Sequence, residues 1–309
     1  MDQGRHVKIL MATYNGSRFL EDQLQSFINQ SYKNWSLLVS DDGSTDNTLQ
    51  ILNDFKSKYP NHDVEIFQGP KEGSSQNFLS LLCRIDVHKN FVMLSDQDDI
   101  WLPEKIEHII EIIARFSAQE PVLYGGRTII VNDKAKPIRY SKRFSHSPSF
   151  SNALVQSIAG GNTMAMNSAA VNLVKKAGPD HNVIGHDWWL YLLISGANGK
   201  VIYDSKPMVL YRQHGQNSFG SNLNSFAKIE RLKAVVNGTF RTWIDANILS
   251  LEKCKEMLTP ECRMQLSRFT RLRKQAGLKA AFAVLRLGIK RQTKLDSAII
   301  VLAAAIKRL

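Results

Sequence analysis

Hydrophobic and polar positions follow two rhythms that take turns along this chain. Val7-Lys-Ile-Leu-Met-Ala-Thr13 is a short, nearly unbroken apolar run, as are Trp35–Ser40, Val64–Phe67 and Phe91–Ser95. Runs of this length, bounded by polar clusters, predict buried strands. Between them apolar residues return every three or four positions. Leu20, Leu24, Phe27 and Ile28 predict a helix over about 17–30, and Leu49, Leu52 and Phe55 predict another, capped by Thr45 or Asp46. A short helix is expected over Asn77–Cys83, and Pro103 opens a further one over Glu104–Phe116. The β-α-β-α-β-α-β order implies an α/β fold with a mostly parallel sheet and helices on both faces.

Farther along, the runs shorten. Val122–Gly126, Thr128–Val131, Thr163–Asn167 and Val201–Tyr203 read as strands, and Ser168–Lys176 and Asp187–Ser195 as helices. Beyond about Ser225 the pattern turns helical and basic, which divides the chain into 1–225 and 226–309.

Composition changes this picture little: 309 residues, 43% apolar and 22% charged, describe ordinary globular material. Charge changes it more. Lys228–Leu309 holds 18 Lys and Arg against 6 Asp and Glu, so the whole excess of +12 sits in the tail. From Arg263 to Lys294 there are ten basic residues and no acid. Within that stretch Leu278, Ala281, Phe282, Leu285 and Ile289 form an apolar stripe flanked by Lys279, Arg286, Lys290 and Arg291. Such a basic amphipathic helix either lies on an anionic membrane or packs on the preceding domain or on a second copy, making a homo-oligomer. The run Ala298–Ile306 is too short to cross a bilayer, and Met1–Arg5 does not begin a signal peptide. Cys83, Cys254 and Cys262 form no Cys-x-x-Cys pair and read as reduced, buried thiols. The expected location is cytoplasmic, held at the inner face of the cell membrane.

Candidate chemistry falls where the predicted strands end. Phe91–Leu94 drives into Asp96, Asp98 and Asp99, carboxylates that repel one another unless a cation lies between them. The usual partner is a divalent ion shared with a phosphate-bearing substrate. Parallel sheets bind ligands beyond their strand carboxyl ends, where Thr13-Tyr14-Asn15 and Asp41-Asp42 also fall. Tyr14 is placed either to stack on a base or to cover a sheet edge. Asp41 is suited to accept a hydrogen bond from base or ribose, and Asp42 to cap the Gly43-Ser44 turn. Asn77 either lines the nucleotide side or caps a helix. Gly185-His186-Asp187-Trp188-Trp189 sets an acid at a helix start beside two aromatics: a proton acceptor in a sugar-stacking pocket, or a plain helix cap. Arg212 is suited to pair with a diphosphate. His214 is either a metal ligand or structural.

Three of these clusters together, Thr13-Tyr14-Asn15, Val39–Asp46 and Asp96-Gln97-Asp98-Asp99, resemble the inverting GT-A glycosyltransferases of family 2. Ser95–Lys105, His186-Asp-Trp-Trp189 and Tyr211–Gly215 are similar to its bacterial rhamnosyltransferase-like branch. The resemblance spans about 5–220. It implies a GT-A fold, with 1–120 as the nucleotide-sugar half and 121–225 as the acceptor half. It implies Mg²⁺ or Mn²⁺ on Asp98, with Asp96 facing the ribose or the metal shell and His214 closing the site. It implies Asp187 as the base, with His186, Trp188, Trp189 and the loop Gly161-Asn162 on the acceptor side; Asp99 is expected to cap the turn before Trp101. The activity implied is inverting transfer of rhamnose or another hexose from a dTDP- or UDP-sugar to a growing, polyprenyl-linked cell-surface glycan. Two other readings stand beside it. One is a phosphohydrolase of the haloacid-dehalogenase kind, whose Asp-x-Asp usually ends the first strand. The other is a nucleic-acid-binding protein driven by the tail; no recognition motif supports it, and no nucleic acid is expected. The first strand is not followed by Gly-x-Gly-x-x-Gly, which disfavours a dinucleotide enzyme.

Overall fold

The computed structural model describes residues 5–87, 90–214 and 233–309. The four apolar runs form four strands of a seven-stranded sheet: β1 (Val7–Thr13), β2 (Trp35–Asp41), β3 (Val64–Gln68) and β4 (Phe91–Ser95). All four run parallel, with β1 between β2 and β4. Their side chains alternate between two cores. Val7, Ile9, Met11, Leu37, Val39 and Met93 meet α1 (Leu20–Ile28), α2 (Thr48–Lys58) and α4 (Lys105–Ile113) on one face. Leu10, Leu38, Val92 and Leu94 share the other core with α3 (Ser74–Arg84), α5 (Phe150–Ala153), α6 (Ser168–Ala177) and α7 (His186–Gly196). Burial on both faces is why these strands are continuous apolar runs rather than alternating ones.

The sheet continues through β9 (Ala165–Met166), antiparallel to both β4 and β6 (Val122–Gly126), and ends at β10 (Lys200–Asp204), parallel to β6. Where a strand was expected over Thr163–Asn167, Gly161–Thr163 form a 3₁₀ turn and only two residues pair. A second, four-stranded sheet was not anticipated. It comprises β5 (Ile100–Trp101), β11 (Val209–Arg212), β7 (Ile129–Val131) and β8 (Pro137–Tyr140), in that order. Of its strands only β7 was read, within Thr128–Val131; the other three leave too short a run. Their effect is functional: β11 carries Arg212 and His214 back to the acidic turn after β4.

The division expected near residue 225 lies outside the described residues. The helices beyond it are α8 (Thr239–Lys253), α9 (Pro260–Leu272), α10 (Gly277–Arg286) and α11 (Lys294–Ala305). They are not a detached appendage. Phe240, Ile244, Leu251, Phe269, Val284 and Ile300 share one core with Leu10 and Trp189, and Phe240 stacks on Trp188 with centroids 6.4 Å apart. The expected amphipathic stripe divides: Ile289 turns inward with Ala280 and Val284, while Leu278, Phe282 and Leu285 stand 88%, 66% and 63% exposed.

Candidate active site

Three strand ends are tied to one another by side chains. Thr13 and Asp41 are register partners on β1 and β2, so their side chains share one side of the sheet. Thr13 Oγ1 donates to Asp41 Oδ2 at 2.8 Å. Asp41 also accepts from the amides of Gly43 and Ser44 at 3.1 and 2.8 Å and from Ser44 Oγ at 2.6 Å. Asn15, with φ of +46°, is in a left-handed conformation that Asn tolerates. It accepts from the Thr45 amide through its side chain, and its own amide donates to Ser44 Oγ, both at 2.8 Å. Gln97 then clamps the β1 loop to the β4 loop. Its Oε1 accepts from the Tyr14 amide at 2.9 Å and its Nε2 donates to the Tyr14 carbonyl at 3.0 Å. Gly16 is needed for that clamp: a Cβ there would lie 2.1 Å from Gln97 Oε1. The Tyr14 ring is left 58% exposed above the sheet edge.

The turn that Asp42 was expected to cap is held by its neighbour. Asp41 holds the Gly43-Ser44 turn. Asp42, one residue on and facing the other way, accepts from the amides of Lys71 and Gly73 at 2.7 and 2.8 Å, which shapes the approach to α3. Asn77 is also internal: it lies within α3, is buried, and donates through Nδ2 to the Ser40 carbonyl at 2.8 Å. It braces the end of β2 and does not cap the helix.

Carboxylate oxygens of Asp96, Asp98 and Asp99 lie within 4.8 Å of one another. Asp99 does not cap the turn before Trp101. It is fully buried and accepts from Asn162 Nδ2 at 2.5 Å and from the Arg212 amide at 3.1 Å. Its counter-charge is Lys105, also fully buried, whose Nζ donates to the Asn162 carbonyl at 2.9 Å and sits 3.4 Å from the centroid of the Trp101 ring. Burial, then Asp98 and Asp96, pushes the Asp99 carboxyl well up, against the bonds from Asn162 and Arg212; burial pushes the Lys105 ammonium well down, against the charges of Asp99 and Asp96. Asp96 is pushed up to about 7, first by burial and then by Asp98 and Asp187. Asp98 Oδ2 lies 2.7 Å from His214 Nε2.

Asp99 thus belongs to the framework, and Asp96, Asp98 and His214 remain as the donor set. The two carboxylates suit Mg²⁺ or Mn²⁺. The crowding that raises Asp96 is the negative charge such an ion would balance.

Arg212 is a correction. Its buried guanidinium directs Nε to the Asp98 carbonyl at 3.0 Å, Nη1 to the Asp133 carbonyl and Nη2 to Asp22 Oδ2 at 2.7 Å, and it lies over the Phe19 ring. It holds the acidic turn from behind, committed to protein oxygens where a diphosphate had been expected.

Asp187 stands in the first turn of α7. Oδ1 accepts from the Trp188 amide at 2.7 Å and Oδ2 from Ser157 Oγ at 3.2 Å. Gly185 leaves room for it, since a Cβ there would lie 2.5 Å from Oδ1. Burial raises Asp187 to about 6, against those two bonds. Its charge acts on Asp96, which brings the two acids into one neighbourhood. Trp188 and Trp189 are not a sugar platform. Both are buried; Trp188 donates through Nε1 to the Ala153 carbonyl at 2.6 Å, and Trp189 packs on His181. The reason is that α7 is apolar on every side, wedged between sheet and C-terminal helices. His186 is buried and neutral, lowered to about 3 by burial, and packs on Phe78 with Nε2 against Gly161. A Cβ on Gly161 would lie 2.1 Å from that nitrogen. Asn162, expected toward the acceptor, instead bridges Asp99 and Lys105.

Reading the sequence missed Gln97, Lys105, Asp22 and Ser157. Lys105 follows Pro103-Glu104 at a helix start, where a solvated lysine looks the same. Gln97, between two acids, was visible but its partner on β1 was not.

Known proteins resemble this chain in sequence and in fold. The family model for glycosyl transferase family 2 matches residues 8–177. The dTDP-rhamnosyl transferase RfbG of Shigella flexneri is 32% identical over 240 residues, 75% of this chain and 81% of that protein. The UDP-Glc:alpha-D-GlcNAc-diphosphoundecaprenol beta-1,3-glucosyltransferase WfgD of Escherichia coli is 30% identical over 128 residues, 41% of this chain and 47% of that protein. Among solved structures, S. aureus TarS 1-349 with UDP-GlcNAc matches at TM-score 0.57 and 16% identity, covering 98% of this chain and 89% of that one. The mannosyltransferase PcManGT of Pyrobaculum calidifontis, with GDP-Man and Mn²⁺, matches at TM-score 0.52 and 15% identity, covering 99% and 88%. The structural matches show a shared GT-A fold.

Proposed function

The chain belongs to glycosyl transferase family 2, and we propose that it moves rhamnose or another hexose, with inversion, from a dTDP- or UDP-sugar to a growing glycan on a polyprenyl diphosphate. The observation that carries this reading is the knot of strand ends: Thr13 on Asp41, Asn15 on Ser44 and Thr45, Tyr14 on Gln97, all beside Asp96 and Asp98. The dTDP donor is supported by the Shigella relative, which spans most of the chain, and the polyprenyl acceptor by the name of the E. coli relative. The phosphohydrolase alternative calls for an Asp-x-Asp at the first strand, whereas here it ends β4.

In this reading the exposed Tyr14 ring stacks on the base, a contact worth about 1–3 kcal/mol. Thr13, Asn15, Asp41, Asp42 and Asn77 hold the loops that receive the nucleotide. Asp98, Asp96 and His214 would hold Mg²⁺ or Mn²⁺, which when bound neutralises charge developing on the leaving diphosphate. Asp187 accepts the proton of the acceptor hydroxyl as that oxygen bonds to the anomeric carbon from the face opposite the departing diphosphate. Ser157 orients the carboxylate, and a value near 6 makes it a stronger base than an ordinary aspartate at neutral pH.

The enzyme works in the cytoplasm at the inner face of the membrane. The basic tail and the exposed Leu278, Phe282 and Leu285 support attachment to an anionic surface. Among the described residues no helix is long and apolar enough to cross a membrane. A second copy is the other candidate for the same helices.

Replacing Asp187 by Asn tests the assignment. Donor binding should persist while turnover falls by roughly 10²–10⁴. Full turnover would remove Asp187 from the mechanism.

A further inference from the structure

Between α9 and α10 lies a cleft of about 390 Å³. Arg268, Arg271 and Arg286 line it with Gln275, over a floor of Leu272, Ala283 and Leu287. Some arginines of the tail have acidic partners: Arg263 pairs with Glu256 at 2.8 Å and Arg273 with Asp245 at 2.7 Å. No ion pair among the described residues engages Arg268, Arg271 or Arg286, and Arg263–Lys294 contains no acid to supply one. Three exposed guanidiniums around one cleft are suited to a phosphate, which arginine meets bidentately.

The surroundings say what carries the phosphate. Leu278, Phe282 and Leu285 share one face of α10 by their spacing, and all are more than half exposed. Arg286 follows Leu285 and flanks that face toward the cleft. A ligand filling both features is anionic at its head and apolar behind it. A nucleic acid or free phosphate leaves the leucines and phenylalanine in water. A second copy of this face brings the same arginines against each other.

We infer that the cleft is a binding site for the phosphate headgroup of an anionic phospholipid, with the apolar face of α10 entering the acyl region beside it. This rests on the membrane attachment proposed above and adds to it a defined lipid site, where diffuse charge alone had been invoked.

The full chain is sedimented with vesicles of phosphatidylcholine alone and of phosphatidylcholine with phosphatidylglycerol. One variant carries Arg268→Gln, Arg271→Gln and Arg286→Gln. Its control carries Lys274→Gln, Lys279→Gln and Lys290→Gln, three exposed tail lysines, so both lose the same charge. An unchanged far-ultraviolet spectrum and unchanged melting with UDP and with dTDP show that both remain folded. The site predicts wild-type binding to phosphatidylglycerol vesicles only, a loss of tenfold or more in the arginine variant, and a clearly smaller loss in the lysine control. Equal losses would leave only diffuse charge and overturn the site while sparing membrane attachment. No sedimentation of the wild type, or equal binding to both vesicles, would overturn attachment to an anionic surface and the site with it. Raised melting with inorganic phosphate but no vesicle binding would make the cleft an anion site and overturn the lipid.

Discussion

Replacing Lys105 by Met removes a buried cation without changing the length of the side chain much. The ammonium makes one charged hydrogen bond to the Asn162 carbonyl, about 1.5–3 kcal/mol, and a desolvated contact with the Trp101 ring 3.4 Å away, about 2 kcal/mol. The negative charges acting on it are Asp99, which has no solvent exposure of its own, and Asp96. Restored ammonium desolvation offsets part of these sums, so the net loss should be that of breaking a buried pair, about 3–5 kcal/mol. Urea unfolding gives the value from the shift in midpoint at constant slope. The companion variant Lys105→Met/Asp99→Asn removes both charges and should recover much of the loss, with a coupling in the double-mutant cycle of about 2 kcal/mol. A single-variant loss below about 0.5 kcal/mol, within the ordinary scatter of surface substitutions, would refute the pairing; so would a cycle that is simply additive.

Other outcomes follow from the same geometry. Gly16→Ala sets a Cβ against Gln97 and should weaken donor binding as Gln97→Ala does, each by up to about tenfold for one or two hydrogen bonds; titration with the nucleotide-sugar measures both, and unchanged affinity would show that the Tyr14 clamp is irrelevant. Because the raised Asp187 must be ionised to act as a base, kcat/KM should fall as pH drops through about 6, and a flat profile there would contradict the assignment. The raised value also means that ionising Asp187 disfavours the fold, so its stability contribution declines as pH rises from the unfolded value through the folded one. Asp187→Asn should therefore melt higher than wild type at pH 8, and a lower melting temperature would count against burial as the cause.

How much of this was legible in the sequence depended on burial. β1 and β4 were readable to the residue because sheet strands covered on both faces have no polar positions to blur them. β5 and β11 were invisible, since two- and four-residue strands at the rim carry no periodic signal, and with them went the return of Arg212 behind Asp98. The acidic turn was found from its charge density; that Asp99 faces inward was not, because its partners Lys105 and Asn162 are distant in sequence or look like solvated residues. Trp188 and Trp189 misled for an avoidable reason. They head the run Trp188–Ile194, and seven apolar residues on a helix have no polar side left for a sugar to face.

The central claim is that Asp98, with Asp96 and His214, binds a divalent ion that a nucleotide diphosphate shares. Calorimetric titration of dTDP and UDP into the full chain, with Mn²⁺ and then with EDTA, tests it most directly when repeated on Asp98→Ala. The account predicts binding of at least one nucleotide with Mn²⁺, none with EDTA, and none to Asp98→Ala under either condition. Equal affinity with EDTA, or undiminished Mn²⁺-dependent binding to Asp98→Ala, would contradict it.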